Sequence, residues 1–289
     1  MELGIAGKVV FFTGGSKGMG RIAARMLADE GCKVAIVART KGPVDDAVSE
    51  ITAGGGTAIG ITADISRADE VAAAVEQVTR ELGAPQIVVG QTLFTKPGDF
   101  DDITDPEVYV DSFRAYTMST VYLLKAVLPA MKAAGWGRFV HVGSATAKEP
   151  EGAIHHVVAN GTRPSTIGLL KTVADEYAQF GVTVNTVAPG WIETQNAIAY
   201  LDRQAGLASP EERRRWMKDH ARVPAARMGR PEEIASMIVY LCSELAGYVN
   251  GAWIEVDGAH HRSAFLRKRA PSADWPAQPR ASPPPWPRD

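Results

Sequence analysis

The stretch Val9-Val10-Phe11-Phe12-Thr13-Gly14-Gly15-Ser16-Lys17-Gly18-Met19-Gly20 runs from an apolar strand into a glycine turn, and Ile22, Ala23, Met26 and Leu27 continue from it at helical spacing. Strand, glycine turn and helix in that order make a cradle for a nucleotide phosphate. Glycine allows a tight turn and close backbone approach, while the helix start offers free N–H groups and the positive end of its dipole. The spacing is TGxxxGxG rather than GxGxxG. Glycines alone also mark ordinary turns; the strand before and the helix after favour the binding reading.

Outward from this stretch, strand-like runs alternate with amphipathic helix patterns. The strands read Lys8–Thr13, Lys33–Ala38, Thr57–Thr62, Gln86–Val89, Arg138–Val142, Val182–Ala188 and Ala252–Val256. They are continuously apolar, as in a parallel sheet covered on both faces. Helices are expected over Gly18–Glu30, Val44–Ala53, Ala68–Leu82, Pro106–Ala134, Val157–Phe180 and Pro231–Cys242, with Ser66 as the N-cap of the third and Pro231 in the first turn of the last. The expected fold is α/β, a single doubly wound domain over residues 1–262 with a seven-stranded parallel sheet.

Two segments stand apart. Gln195–Arg227 follows the sixth strand, beyond a strand's carboxyl end, where a substrate lid belongs; its run Glu211-Glu212-Arg213-Arg214-Arg215 reads as a solvated helix face. Residues 263–289, with seven prolines from Pro271 to Pro287, read as a disordered tail. The 289 residues suffice for one large domain, and a net charge of −2 gives no sign of nucleic acid or membrane as partner. Two cysteines, no signal-peptide pattern and no membrane-length apolar run suggest a reduced, cytoplasmic protein.

The set Thr13–Gly20, Ala63-Asp64-Ile65, Asn185-Thr186-Val187-Ala188-Pro189-Gly190-Trp191-Ile192-Glu193-Thr194 and Val256-Asp257-Gly258 resembles the short-chain dehydrogenase/reductase family, most of all its 3-oxoacyl-acyl-carrier-protein reductases. The resemblance covers about Gly7 to Gly258. It implies that Gly14, Gly18 and Gly20 form the pyrophosphate loop, with Ser16, Lys17 and Met19 also on the cofactor, that Asp64 hydrogen-bonds the adenine with Ile65 beside it, and that Pro189, Gly190, Ile192 and Thr194 hold the nicotinamide carboxamide. Where a carboxylate at the end of the second strand would select NAD, this chain has Arg39, with Lys17 as a second cation. That pair favours NADP(H).

The catalytic part departs from the family. Ser144 matches its serine, but the Tyr-xxx-Lys positions hold Ala159 and Arg163, and Tyr116 stands where an asparagine is usual. The Asn-Asn-Ala-Gly motif is replaced by Gly90-Gln91-Thr92-Leu93. A similar branch carries Lys-Glu-Pro after the serine, here Lys148-Glu149-Pro150, and Asn-x-x-Arg, here Asn160 to Arg163. Arginine supplies charge but does not relay protons as lysine does. Candidate acids are His156 or His155, one helical turn before Ala159, and Tyr116. A loop or capping role is the plainer reading for either histidine, and helix packing for Tyr116. The gap beside Ala159 is expected to take water, a substrate hydroxyl or a histidine ring.

Three functions compete. The first is an NADP(H)-dependent oxidoreductase acting on a carbonyl or hydroxyl substrate, with Ser144, Arg163, His156 and Tyr116 as its catalytic set and no metal. The second is a redox-neutral isomerase, dehydratase or lyase. The third is a silent cofactor-binding subunit. Family resemblance also implies a two-fold homodimer or homotetramer.

Overall fold

The computed structural model describes residues 2–91, 96–150 and 156–261. Seven parallel strands form one sheet: β1 (Val9–Thr13), β2 (Lys33–Ala38), β3 (Thr57–Thr62), β4 (Ile87–Gln91), β5 (Gly137–Val142), β6 (Val182–Pro189) and β7 (Trp253–Val256). Their spatial order is β3-β2-β1-β4-β5-β6-β7. β1 is the pivot, pairing Val10 with Val34 on one side and with Ile87 on the other. The chain leaves β1 in both directions across the sheet, so a crevice opens at the carboxyl ends of β1 and β4.

Helices cover both faces. α1 (Gly18–Asp29), α2 (Lys41–Ala53) and α10 (Pro231–Cys242) lie on one; α3 (Ala68–Glu81), α5 (Ser119–Ala134) and α7 (Ser165–Tyr177) lie on the other. Alternate strand residues point to opposite faces. Phe12 therefore packs with Leu27, Ile36 and Ile234, while Phe11 packs with Val78, Leu123 and Phe139. Two buried faces explain why the strands read as unbroken apolar runs.

Both long helix expectations are interrupted. Pro106–Ala134 is α4 (Glu107–Phe113), a π turn over Arg114–Met118, and α5. Val157–Phe180 is α6 (Val157–Thr162), α7 and a 3-10 turn over Ala178–Phe180, with Arg163-Pro164 between the two helices. Pro164 has no N–H to donate, which breaks the ladder there. α2 starts three residues before the expected Val44, in a polar turn held by the Lys41–Asp45 ion pair at 2.6 Å. Such a turn is invisible to apolar periodicity.

Ser66 is not the cap of α3. Asp64 Oδ1 accepts from both the Ser66 N–H (2.9 Å) and its hydroxyl (2.8 Å), and Arg67 occupies the cap position without a side-chain bond. Pro231 does occupy the first turn of α10. The expected lid segment forms α8 (Gln195–Ala205) and α9 (Pro210–Asp219) around a small core of Leu201, Met217, Ala221, Val223 and Met228. Arg213 corrects the solvated-face reading of the arginine run. It is buried and donates from Nη1 to the carbonyls of Leu207 and Ala208 at 3.1 and 2.8 Å. Arg214 and Arg215 are exposed.

Candidate active site

The glycine turn leads directly into α1. A Cβ at Gly20 would collide with the carbonyl oxygen of Gly14 and lie 2.8 Å from Gln91 Oε1, so this crossing of loop and helix admits no side chain. Lys17, at the cap position of α1, makes no side-chain cap bond. The first-turn N–H groups therefore keep no side-chain acceptor from that residue, and the positive end of the dipole is left for an anion. Ser16 is buried, and Met19 is half-buried on the first turn. Thr194, in the segment after β6, comes to the same place: a Cβ on Gly18 would be 3.5 Å from its Cγ2.

Lys17 and Arg39 are both exposed, and neither has a hydrogen-bond or ion-pair partner among the described residues. Nearby Arg21, by contrast, is tied to Glu50 at 2.5 Å. At the end of β3, Asp64 spends Oδ1 on the turn to Ser66, and Ile65 is buried beside it. After β6, Pro189 is buried. Gly190 passes so close to Asp257 that a Cβ would lie 2.6 Å from that of the aspartate. Burial raises the Asp257 carboxyl, but hydrogen bonds from His261 outweigh it and leave the group below its usual range. Ile192 is buried in the main core, and Thr194 Oγ1 caps α8 by accepting from Ala197 N at 3.3 Å.

The structure brings Ser144, Arg163 and Tyr116 together through a residue that sequence reasoning missed. Ser144 Oγ and Thr146 Oγ1 are 3.0 Å apart; Arg163 Nη1 donates to Thr146 Oγ1 at 3.1 Å and Nη2 donates to the Tyr116 hydroxyl at 2.8 Å. The guanidinium carbon also lies 4.9 Å from the Tyr116 ring centroid. Thr146 follows Ser144 by two residues on a 3-10 turn, and that short spacing was the available signal. The π turn supplies Tyr116. Its extra residue per turn aims a side chain where an α-helix would not. Arg163 Nε is buried without a hydrogen-bond partner among the described residues.

His141, on β5 below this network, was also overlooked as a functional neighbour. It is 2% exposed, with Nδ1 3.5 Å from Thr186 Oγ1. Burial, and then the charge of Arg163, push its imidazole down to about 4. It is neutral at physiological pH. The ring of His156 packs against Tyr200 of α8 at 5.5 Å between centroids. His155 lies outside the described residues, as do Thr92, Leu93 and residues 263–289. Ala159 is 2% exposed: neighbouring atoms cover its methyl group, and the expected gap beside it is not seen. A cavity of about 560 Å³ between α9 and Arg227–Arg230 is lined by Glu193, Arg213, Arg214 and Met228 among others; it contains none of Ser144, Arg163 and Tyr116.

A family described as enoyl-(acyl carrier protein) reductase matches residues 14–261. This chain belongs to the short-chain dehydrogenase/reductase family. It is 32% identical to a 3-oxoacyl-acyl-carrier-protein reductase of Vibrio cholerae over 256 residues, spanning 89% of this chain and 98% of that protein. L-sorbose reductase from Gluconobacter frateurii, solved with NADPH and L-sorbose, superposes with a TM-score of 0.83 at 29% identity, over 89% of this chain and 98% of that one. An NADPH-bound short-chain oxidoreductase from Pseudomonas aeruginosa PAO1, described as containing an atypical catalytic center, gives 0.81 at 27% identity over the same shares.

The family implies a nicotinamide dinucleotide, and this short-chain dehydrogenase/reductase cleft fits one. α1 has no side-chain cap, Gly20 lets the backbone cross, and Gln91 Oε1 is buried beside the loop with no partner among the described residues. No helix of the described residues is long and apolar enough to cross a membrane, and no group of three or more metal-binding side chains occurs among them.

Proposed function

We propose that this chain is an NADP(H)-dependent oxidoreductase acting on a carbonyl or hydroxyl group of a small molecule. The observation that carries the reading is the hydrogen-bonded chain Ser144–Thr146–Arg163–Tyr116 at the carboxyl end of β5, beside the glycine cradle. Gly14 to Gly20 hold the pyrophosphate; Asp64 and Ile65 flank the adenine; Pro189, Gly190, Ile192 and Thr194 line the nicotinamide end. Lys17 and Arg39, which no carboxylate engages, meet the 2′-phosphate. NADPH, when bound, supplies the hydride.

The remaining chemistry belongs to the chain. Ser144 donates to the substrate oxygen and fixes its orientation. The Tyr116 hydroxyl accepts from Arg163, and its own proton goes to no described residue. That proton passes to the substrate oxygen as the carbonyl carbon is reduced. The guanidinium stabilises negative charge left on the phenolic oxygen, an electrostatic role that arginine fills without changing its own protonation. The lid, 195–227, closes the cleft, and His156 contributes from the lid side rather than as the acid.

The test is NADPH consumption across ketones, aldehydes and β-ketoacyl thioesters, followed by the same assay on variants. Tyr116→Phe should lose about a hundredfold in kcat, as loss of a general acid does, while His156→Ala should lose less. Arg39→Asp should abolish the preference for NADPH over NADH in calorimetric titration. If wild type turns over no carbonyl or alcohol, while Ala159→Tyr with Arg163→Lys creates that activity, the protein is redox-silent. We also propose a two-fold homodimer or homotetramer, consistent with exposed Val110 and Phe113 on α4 and exposed Leu245 and Tyr248 before β7. Sedimentation at micromolar concentration checks it.

A further inference from the structure

The lid helices carry two apolar faces. Leu201 on α8 and Met217 on α9 are 1% and 0% exposed and form the lid's own core. Their immediate neighbours Tyr200 and Trp216, about 100° further round each helix, pack at the edge of that core and stay only half-buried. These rings do not stand alone. Trp191, from the loop directly after Pro189-Gly190, lies 6.3 Å from Tyr200 and 5.2 Å from Trp216, the latter edge-on at 82°. Tyr200 reaches His156 at 5.5 Å, and Trp216 reaches His220 at 4.9 Å. A continuous wall of five rings thus runs from the entry of α6 to the far end of α9. Two of its members lie close in the chain to proposed site residues: His156 is seven residues before Arg163, and Trp191 directly follows Gly190.

Trp191, Tyr200 and Trp216 pack against the Leu201–Met217 core, yet all three stay partly exposed. Such rings gain most from another ring, stacked or edge-on, and little from a polyhydroxylated chain whose hydroxyls need donors and acceptors at each carbon. We propose that the substrate is an aryl or fused-ring carbonyl compound, or the matching alcohol, held with its ring system against His156, Tyr200, Trp191 and Trp216. The assignment rests on the carbonyl-reducing reading above.

Two measurements separate this proposal from that reading. The first is calorimetry of the NADPH complex with 2-naphthol and with its saturated counterpart 2-decalol. Neither alcohol can be oxidised by the reduced cofactor, so binding is read without turnover. 2-Naphthol should bind about tenfold more tightly, and Tyr200→Leu, which keeps apolar volume but removes the ring, should erase most of that margin. The second is kcat/KM for 2-acetylnaphthalene against an aliphatic methyl ketone of equal carbon number and against a ketohexose. The aryl ketone should lead by tenfold or more, with Trp216→Leu raising its KM while changing kcat less than twofold. Naphthol preference without any turnover keeps the wall and overturns the reductase reading. Turnover with no aryl preference, or equal affinities for naphthol and decalol, overturns the wall and leaves the reductase reading intact.

Discussion

Arg138 and Arg163 stand at opposite ends of the sheet, and they are held in opposite ways. Arg138 opens β5 and is 3% exposed. Its Nε donates to the Ser243 carbonyl at 3.0 Å, its Nη1 to the carbonyls of Gly137 (2.9 Å) and Gly181 (3.3 Å), and its Nη2 to Glu244 at 3.5 Å, while Trp136 stacks beneath it at 4.3 Å. Arg163, beyond the other end of β5, donates to two side-chain hydroxyls and keeps a buried Nε without a partner among the described residues. Main-chain carbonyls are part of the fold and cannot be spared. Hydroxyls are optional, and a guanidinium they hold only in part retains capacity for a ligand. The closed end of the sheet stabilises. The open end, where strand carboxyl termini and loops converge, is where we propose the chemistry.

Exchanging the two arginines' roles is the sharpest way to break this contrast. Arg163→Ala should cut kcat/KM by about a thousandfold, or ~4 kcal/mol of transition-state stabilisation, at the upper range for loss of a preorganised donor. Its melting temperature should move by no more than about 2 °C. Arg138→Ala should do the reverse. It removes a donor from the carbonyls of Ser243, Gly137 and Gly181, of which Gly181 keeps the Gly137 N–H, and should destabilise folding by about 4 kcal/mol in urea, as for breaking a buried charged network, with kcat per folded molecule unchanged. If both variants lose activity and stability together, the division between the two ends is wrong.

His141 sharpens the comparison through pH. Its folded value is about 4 against 6.5 when unperturbed, so the unfolded chain binds the extra proton first as pH falls. Stability from this group is complete above about pH 6.5 and is lost progressively down to about pH 4. The full loss is about 3 kcal/mol. His141→Leu should flatten that part of the stability profile. A wild-type profile that is flat between pH 7 and 4 would falsify the buried neutral imidazole. The smallest expected effect belongs to Thr146→Val, which removes the hydroxyl between Ser144 and Arg163 without changing volume. It should cost about tenfold in kcat/KM, near 1.5 kcal/mol for one charge-assisted bond, and leave the urea midpoint nearly unchanged.

Much of the fold was legible in local signals. Strand runs, the glycine turn and Pro231 each report on a few neighbouring residues, and the structure places them within one or two positions of expectation. The failures share one cause. α2 begins in a turn held by an ion pair, the cap of α3 was pre-empted by Asp64, and Arg213 is held by carbonyls of the loop between α8 and α9. In each case a polar side chain's fate was set by a partner that hydrophobic periodicity does not register. The site divided in the same way. Ser144, Arg163 and Tyr116 could be named from their positions, but Thr146 joins them only once Arg163, 17 residues on, folds back over it.

The sequence by itself determined the doubly wound sheet and the phosphate cradle, because buried parallel strands and a tight glycine turn each impose their composition on a short stretch of chain. Its resemblance to the family also implies that Ala159 and Arg163 stand where a Tyr-xxx-Lys pair is usual. Tertiary structure decided how Tyr116, Thr146 and Arg163 meet. The π turn at Tyr116, the break at Pro164 and the 3-10 turn at Thr146 are local departures from regular helix, and none can be placed from periodicity. Their consequence is long-range: hydroxyls 30 residues apart in the chain, on Tyr116 and Thr146, converge on one guanidinium. Hydrogen bonds form wherever packing brings donor and acceptor within about 3 Å, and only the folded chain sets that distance.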